Sequence, residues 1–181
     1  MIIVEGSRMV GKSYLLNNIE GYVTYKVPFV SYFNEFLKTE NFIESNKNNS
    51  AYHFTTGNDV AILSMYRQGL LNSNILFDRG FLSNVVLAVQ QDRITIEDGK
   101  KYLDWLIHEQ YTEYVTIIYV TADNKKDNRN KDNWNILDQS KTNELYELYI
   151  SYIENRVNII RFNNEFNIED KTNFENIINS I

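Results

Sequence analysis

The stretch VEGSRMVGKS at residues 4–13 restricts this chain more than any other part of it. Gly6, four intervening residues, Gly11, Lys12 and Ser13 reproduce the spacing G-x-x-x-x-G-K-[ST]. The apolar run IIVE at 2–5 precedes it, and a helical pattern from Lys12 to Ile19 follows. Strand, loop and helix in that order is the setting in which this spacing holds phosphate. Glycines admit positive φ angles and let backbone N–H groups converge on phosphate oxygens. The helix starting near Lys12 adds its partial positive end. The Lys12 ammonium has the reach for β- and γ-phosphates, and the Ser13 hydroxyl suits Mg²⁺. The expectation is a bound nucleoside triphosphate, taken as ATP with Mg²⁺. Its cradle is Gly6, Ser7, Arg8, Met9, Val10, Gly11, Lys12, Ser13 and Tyr14. Kinases, motors, switches and regulators all hold a triphosphate, so the reaction has to be read from other residues.

A chain of 181 residues suits a single domain with a full α/β core. There are no cysteines and only two histidines, His53 and His108, which argues against disulfides and a structural zinc site. The net charge of −6 argues against a long nucleic acid as partner, because such binding needs many phosphate-neutralising cations. No run approaches the roughly 20 apolar residues of a membrane span, and Met1–Val4 is too short for a signal peptide. A cytoplasmic location is the expectation. One proline, 13 tyrosines and many Asn, Ile and Lys fit coding by an AT-rich genome, such as a phage or a low-GC bacterium.

Beyond the loop, strands and helices alternate. YVTYKV (22–27), NILFD (74–78), YVTIIYV (114–120) and VNIIRF (157–162) read as strands. Residues 30–45 and 56–71 carry apolar positions at helical spacing. LSNVVLAVQQ, the segment opened by the capping pair Thr95 and Asp98, residues 142–154 and the C-terminus also read as helices. The expected architecture is a five-stranded, mostly parallel sheet with helices on both faces.

Asp78 and Arg79 end the third strand, on the edge of an open α/β sheet where ligands sit. A carboxylate there can hold Mg²⁺, and the guanidinium fork can grip a phosphate. With the loop in place, VEGSRMVGKS and ILFDRGFLSNVVLAVQ together resemble the thymidylate kinase and deoxynucleoside kinase group of P-loop proteins. Glu5-Gly6 opens the loop as in thymidylate kinases, and Asp78, Arg79, Ser83 and Ala88–Gln90 are similar to their strand-end motif. The sequence departs from that pattern at Gly80, where a tyrosine is usual, and in lacking an acidic residue within the loop. The resemblance implies a P-loop NTPase fold of the nucleoside-monophosphate-kinase type over residues 1–181, often homodimeric.

The resemblance also implies a lid at about 121–140, where ADNKKDNRNKDNW supplies Lys125, Lys126, Lys131 and one guanidinium, Arg129. A basic closing loop stabilises the transferring phosphoryl group and excludes water; by composition alone the same segment reads as a solvated loop. SMYRQGLL places Arg67 where those enzymes hold the acceptor phosphate, at a shorter distance from Asp78 than usual. A nucleoside hydroxyl wants a general base, whereas a monophosphate brings its own anionic oxygen. TYKVPF carries no carboxylate before Glu35, which favours a monophosphate acceptor unless Glu35 is the base. Phe33, with Phe29, Phe36, Tyr52 and Phe54, is a candidate to stack on a base, or else core. The sequence thus points to ATP-dependent phosphorylation of a (deoxy)nucleoside monophosphate. Alternatives are a deoxynucleoside kinase, a polynucleotide 5′-kinase and a non-enzymatic nucleotide-binding regulator.

Overall fold

The computed structural model describes residues 1–26, 69, 74–90, 92, 94–110, 112–122 and 139–181. Five strands occur among them: β1 (Ile2–Glu5), β2 (Val23–Lys26), β3 (Ile75–Asp78), β4 (Thr116–Thr121) and β5 (Asn158–Asn163). They form one sheet in the order β2-β3-β1-β4-β5, with every pairing parallel. The described helices are α1 (Lys12–Leu15), α2 (Phe81–Gln90), α3 (Ile96–His108), α4 (Gln139–Ile153) and α5 (Ile168–Ser180). The two helices expected within 30–45 and 56–71 lie outside the described residues.

Side-chain alternation along the buried strands divides the core into two layers. On one face Ile3, Phe77, Ile117 and Tyr119 pack against α2, α3 and α4 through residues such as Val85, Leu103, Tyr146 and Tyr149. On the other, Ile2, Val4, Leu76, Ile118 and Val120 meet Leu15 of α1 and Phe174 and Ile178 of α5. This is the three-layer arrangement expected from the order of elements.

Several boundaries differ from the sequence expectation. α1 stops at Leu15 rather than Ile19, and residues 16–18 form turns, with Asn18 at φ 56°. A left-handed residue cannot continue a right-handed helix, and Asn is among the few that tolerate that conformation. β4 begins at Thr116, because Tyr114 lies exposed in a turn closed by Val115 N–H donating to the Thr112 carbonyl at 3.1 Å. Thr121 closes β4, and α4 begins at Gln139 instead of residue 142, so both ends of the lid-like span 121–140 belong to regular elements. The capping pair is as expected: Asp98 N–H donates to Thr95 Oγ1 and Thr95 N–H to Asp98 Oδ2, both at 3.1 Å.

Gly99, buried in the first turn of α3, marks where three helices meet. A Cβ there would collide with the Tyr149 hydroxyl of α4 and stand 2.8 Å from Val85 Cγ1 of α2. Removing a helical glycine alone would stabilise by about 1 kcal/mol, but overpacking a well-filled core costs about 1–3 kcal/mol. Gly99→Ala is therefore expected to lower the melting temperature, with part of the loss recovered when Tyr149→Phe removes the obstructing oxygen. A melting temperature at or above that of the unaltered chain would show that the helices have room to separate.

Candidate active site

Parallel pairing of β1 with β3 sets Val4 opposite Asp78, so the ends of the two strands emerge together. Arg79 N–H then donates to the Val4 carbonyl at 2.9 Å, one bond beyond the ladder. Between β1 and α1 the chain turns through Gly6 (φ 138°), Met9 (φ 64°) and Gly11 (φ 86°). A Cβ on Gly6 would run into the Val120 carbonyl, and one on Gly11 into the Asn164 side chain. Both glycines of the spacing are thus demanded by sterics as well as by φ. Met9 accepts a left-handed conformation at a cost of about 1–2 kcal/mol.

The Lys12 side chain is buried inside the loop, donating to the Gly6 carbonyl at 2.7 Å and the Ser7 carbonyl at 2.6 Å. Burial lowers its pKa to about 7, helped by the nearby Arg79 charge and opposed by Asp78 and Glu5. A cleft of about 520 Å³ opens over this ammonium. Arg8, Met9, Gly11, Ser13 and Tyr14 line it from the loop and α1, Asp78 and Arg79 from the end of β3, and Phe166 from beyond β5. Of the predicted cradle, Gly6, Ser7 and Val10 are outside that lining; Val10 is buried in the core below.

Beneath the cleft lies a buried polar cluster. Glu5 is completely enclosed, and its pKa is raised by burial against the opposing effects of Ser83, Arg79 and Lys12. It accepts a hydrogen bond from Ser83 N–H at 3.2 Å and a second from Ser83 Oγ. Arg79 Nη1 donates to the Gly6 carbonyl at 3.2 Å, the Tyr146 hydroxyl at 3.3 Å and Ser83 Oγ at 3.4 Å. Gly80, where the resembling family has tyrosine, is also explained here. A Cβ would sit 2.6 Å from Ile3 Cγ2 and 3.2 Å from Glu5 Oε1, so a larger residue would have to push aside the buried Ile3 and Glu5 side chains.

The donor set suits a polyphosphate. Arg8, Lys12 and Arg79 confront a single carboxylate, Asp78, in the cleft. The desolvated Lys12 gains a counter-charge when an anion arrives. Ser13 and Asp78 both line the cleft and are the residues that would hold Mg²⁺. The described residues contain no cluster of three or more His, Cys, Asp or Glu that would bind a metal by themselves. No helix among them is long and apolar enough to cross a membrane. The other predicted site residues, Phe33, Glu35, Arg67 and Arg129, lie outside the described residues, as does the lid-like segment apart from its ends.

Three contributors escaped the sequence reading. Asn164 Nδ2 donates to the Val10 carbonyl at 2.8 Å and Asn164 Oδ1 accepts from Phe166 N–H at 3.0 Å, tying the β5–α5 connection to the phosphate loop. That tie sets Phe166 at the cleft edge. Tyr146 enters from α4, 63 residues after Ser83, at helical spacing indistinguishable from ordinary core. An asparagine immediately past a strand was the one available signal, and it marks a turn as readily as a site.

Lys12 half-titrates near pH 7 in the free protein, whereas a bound polyanion favours the ammonium and raises its pKa. The bound state then carries the extra proton above pH 7. Affinity for metal-free ATP is expected to fall between pH 8 and 9, with proton uptake at pH 8 seen by calorimetry in buffers of different ionisation heat. A flat affinity without uptake would place the Lys12 ammonium away from the phosphates.

No protein-family model and no curated protein sequence matches the chain. Solved structures do. A deoxyadenosine kinase from M. mycoides with bound dATP is 19% identical, with TM-score 0.59, covering 99% of this chain and 97% of that one. The deoxyadenosine kinase from M. mycoides with bound dCTP is 16% identical, with TM-score 0.57, over 100% of both chains. A thymidylate kinase from Ehrlichia chaffeensis is 13% identical, with TM-score 0.54, covering 99% and 96%. At such identities the likeness is one of fold. This chain has the α/β P-loop fold of the deoxynucleoside and thymidylate kinases along its whole length.

Proposed function

We propose that this chain is an ATP-dependent phosphotransferase acting on a (deoxy)nucleoside monophosphate. The observation that carries the reading is the meeting of Lys12 and Ser13 with Asp78 and Arg79 in one cleft. The kinase fold supports it, because the donor loop and the β3 end occupy adjacent strand termini. In this reading the loop amides and Lys12 hold the donor phosphates, and Arg79 faces the transferring group and the acceptor. Bound Mg²⁺ would neutralise charge on the β- and γ-oxygens. Ser13 and Asp78 would hold that ion, while Arg129 completes the cationic surround and Arg67 grips the acceptor phosphate. Glu35 and Phe33 belong to the acceptor side. The chain acts in the cytoplasm on small nucleotides, and a second copy of it completes a homodimer.

A deoxynucleoside acceptor is the second reading, favoured by the full-length fold match to deoxyadenosine kinase. Such a reaction needs a general base, for which Glu35 is the candidate from the sequence and Asp78, at the cleft, is a second. Lys26, the last residue of β2, pairs with Asp78, so β2 and β3 end together at the edge where the cleft opens. Asp78 would then accept the hydroxyl proton in place of a carboxylate following β2.

A panel of deoxynucleosides and their monophosphates, assayed for ADP release, tests both readings. Monophosphates are expected to be turned over and nucleosides to be poor; the reverse selects the second reading. No ADP with any acceptor, despite ATP binding, rejects both in favour of a regulator. Lys12→Ala and Arg79→Ala are each expected to lower kcat by about 10²-fold or more, the loss typical for removing a charge-stabilising donor. Unchanged turnover in either would remove that side chain from the reaction.

A further inference from the structure

The buried cluster under the cleft has a direction that its donors and acceptors dictate. Ser83 has one hydroxyl proton, and Glu5 Oε2 receives it. The 2.5 Å contact between Ser83 Oγ and the Tyr146 hydroxyl must therefore use the tyrosine proton. Tyr146 is left with its oxygen lone pairs, and Arg79 Nη1 donates to them at 3.3 Å. The chain runs from Arg79 through Tyr146 and Ser83 to the Glu5 carboxylate, and each bond strengthens its neighbours where Tyr146, Ser83 and Glu5 are buried.

A second observation shows that Arg79 needs holding. Its φ is 78°, a left-handed conformation that costs a non-glycine residue about 1–2 kcal/mol. Such a residue persists only when its surroundings over-determine it. Here the backbone is fixed by Arg79 N–H to the Val4 carbonyl at 2.9 Å and the side chain by the Gly6 carbonyl, Ser83 and Tyr146. Three elements converge on one guanidinium: the end of β1, the first turn of α2, and α4.

We propose that Glu5, Ser83 and Tyr146 form a cradle that positions Arg79 at the edge of the phosphate cleft, with Tyr146 as a positioning residue supplied by α4. The proposal rests on the reading of the cleft as a phosphate site, and not on the identity of the acceptor. Tyr146 touches no substrate in this account. It acts by keeping the guanidinium oriented, so its worth is felt only while Arg79 is present. Tyr149, one turn further along α4, is the internal reference: it is equally buried, but its hydroxyl donates to the Ile96 carbonyl at 3.1 Å, away from the cluster.

The test is a double-mutant cycle read as affinity for inorganic tripolyphosphate at fixed pH, by calorimetry with chelator present. Tyr146→Phe is expected to raise Kd by about five- to tenfold, in keeping with loss of one ordinary hydrogen bond. Ser83→Ala should do the same, and covers the case in which the tyrosine variant folds poorly. Tyr149→Phe should leave Kd unchanged. In an Arg79→Ala background, neither cradle substitution should weaken binding further. The proposal is overturned if Tyr146→Phe and Ser83→Ala leave Kd unaltered, if their effects persist without Arg79, or if Tyr149→Phe weakens binding equally. Failure of the unaltered chain to bind tripolyphosphate would overturn both the cradle and the phosphate reading of the cleft. Coupled losses in a chain that phosphorylates no acceptor would uphold the cradle and reject the phosphotransferase.

Discussion

The pairing of β1 between β3 and β4 is the constraint on which the rest of the structure depends. Val4 opposite Asp78 and Glu5 opposite Tyr119 bring three strand ends to one edge. The loop that leaves β1 must then pass over the Val120 carbonyl so closely that Gly6 can carry no Cβ. Shifting β1 by one residue would exchange the layer of Ile3 with that of Ile2 and Val4 and point each set into the wrong core. Register is therefore set by apolar packing far from the cleft, and the chemistry at the strand ends inherits it.

Against this apolar frame stand two buried charges of opposite sign, Glu5 and Lys12. Each is disfavoured by desolvation, which raises the pKa of the first and lowers that of the second. Packing alone would be better served by apolar residues at both positions. What distinguishes them is their place beside the cleft. Glu5 ends the hydrogen-bond chain that reaches Arg79, and Lys12 lies folded onto its own loop carbonyls beneath the cleft. Left-handed Met9 and Arg79 flank the cleft, one in the loop and the other at the end of β3. Buried Lys12 and two left-handed residues thus meet at one opening in the fold, a combination of charge burial and backbone strain that is costly for stability.

Local chemistry was legible where it depended on near neighbours in sequence. The spacing from Gly6 to Ser13 announced its loop, the alternation of apolar runs announced a parallel sheet, and Thr95 with Asp98 announced a capped helix start. Asp78 and Arg79 were found because they sit at a strand end. Boundaries were less legible: Tyr114 has strong β propensity yet lies in a turn, since pairing with Ile2 and Asn158 starts only at Thr116. Gly80 looked like a departure from the resembling family, and only the approach of Ile3 explains it.

The sequence by itself determined that a phosphate loop joins a buried strand to a helix, and that an Asp-Arg pair ends a second strand. Short-range spacing and periodicity are enough for both, because they act over one turn or one strand. Only the tertiary structure decided that Asn164 ties Phe166 to the loop at the cleft edge, that Tyr146 reaches Arg79 from α4, and that Glu5 is buried beneath the cleft. Tyr146 lies 63 and 67 residues from Ser83 and Arg79, and Asn164 lies 154 residues from Val10. Pairing at such range is set by how the helices pack on the sheet, and nothing in the local pattern of an asparagine or a core tyrosine records it.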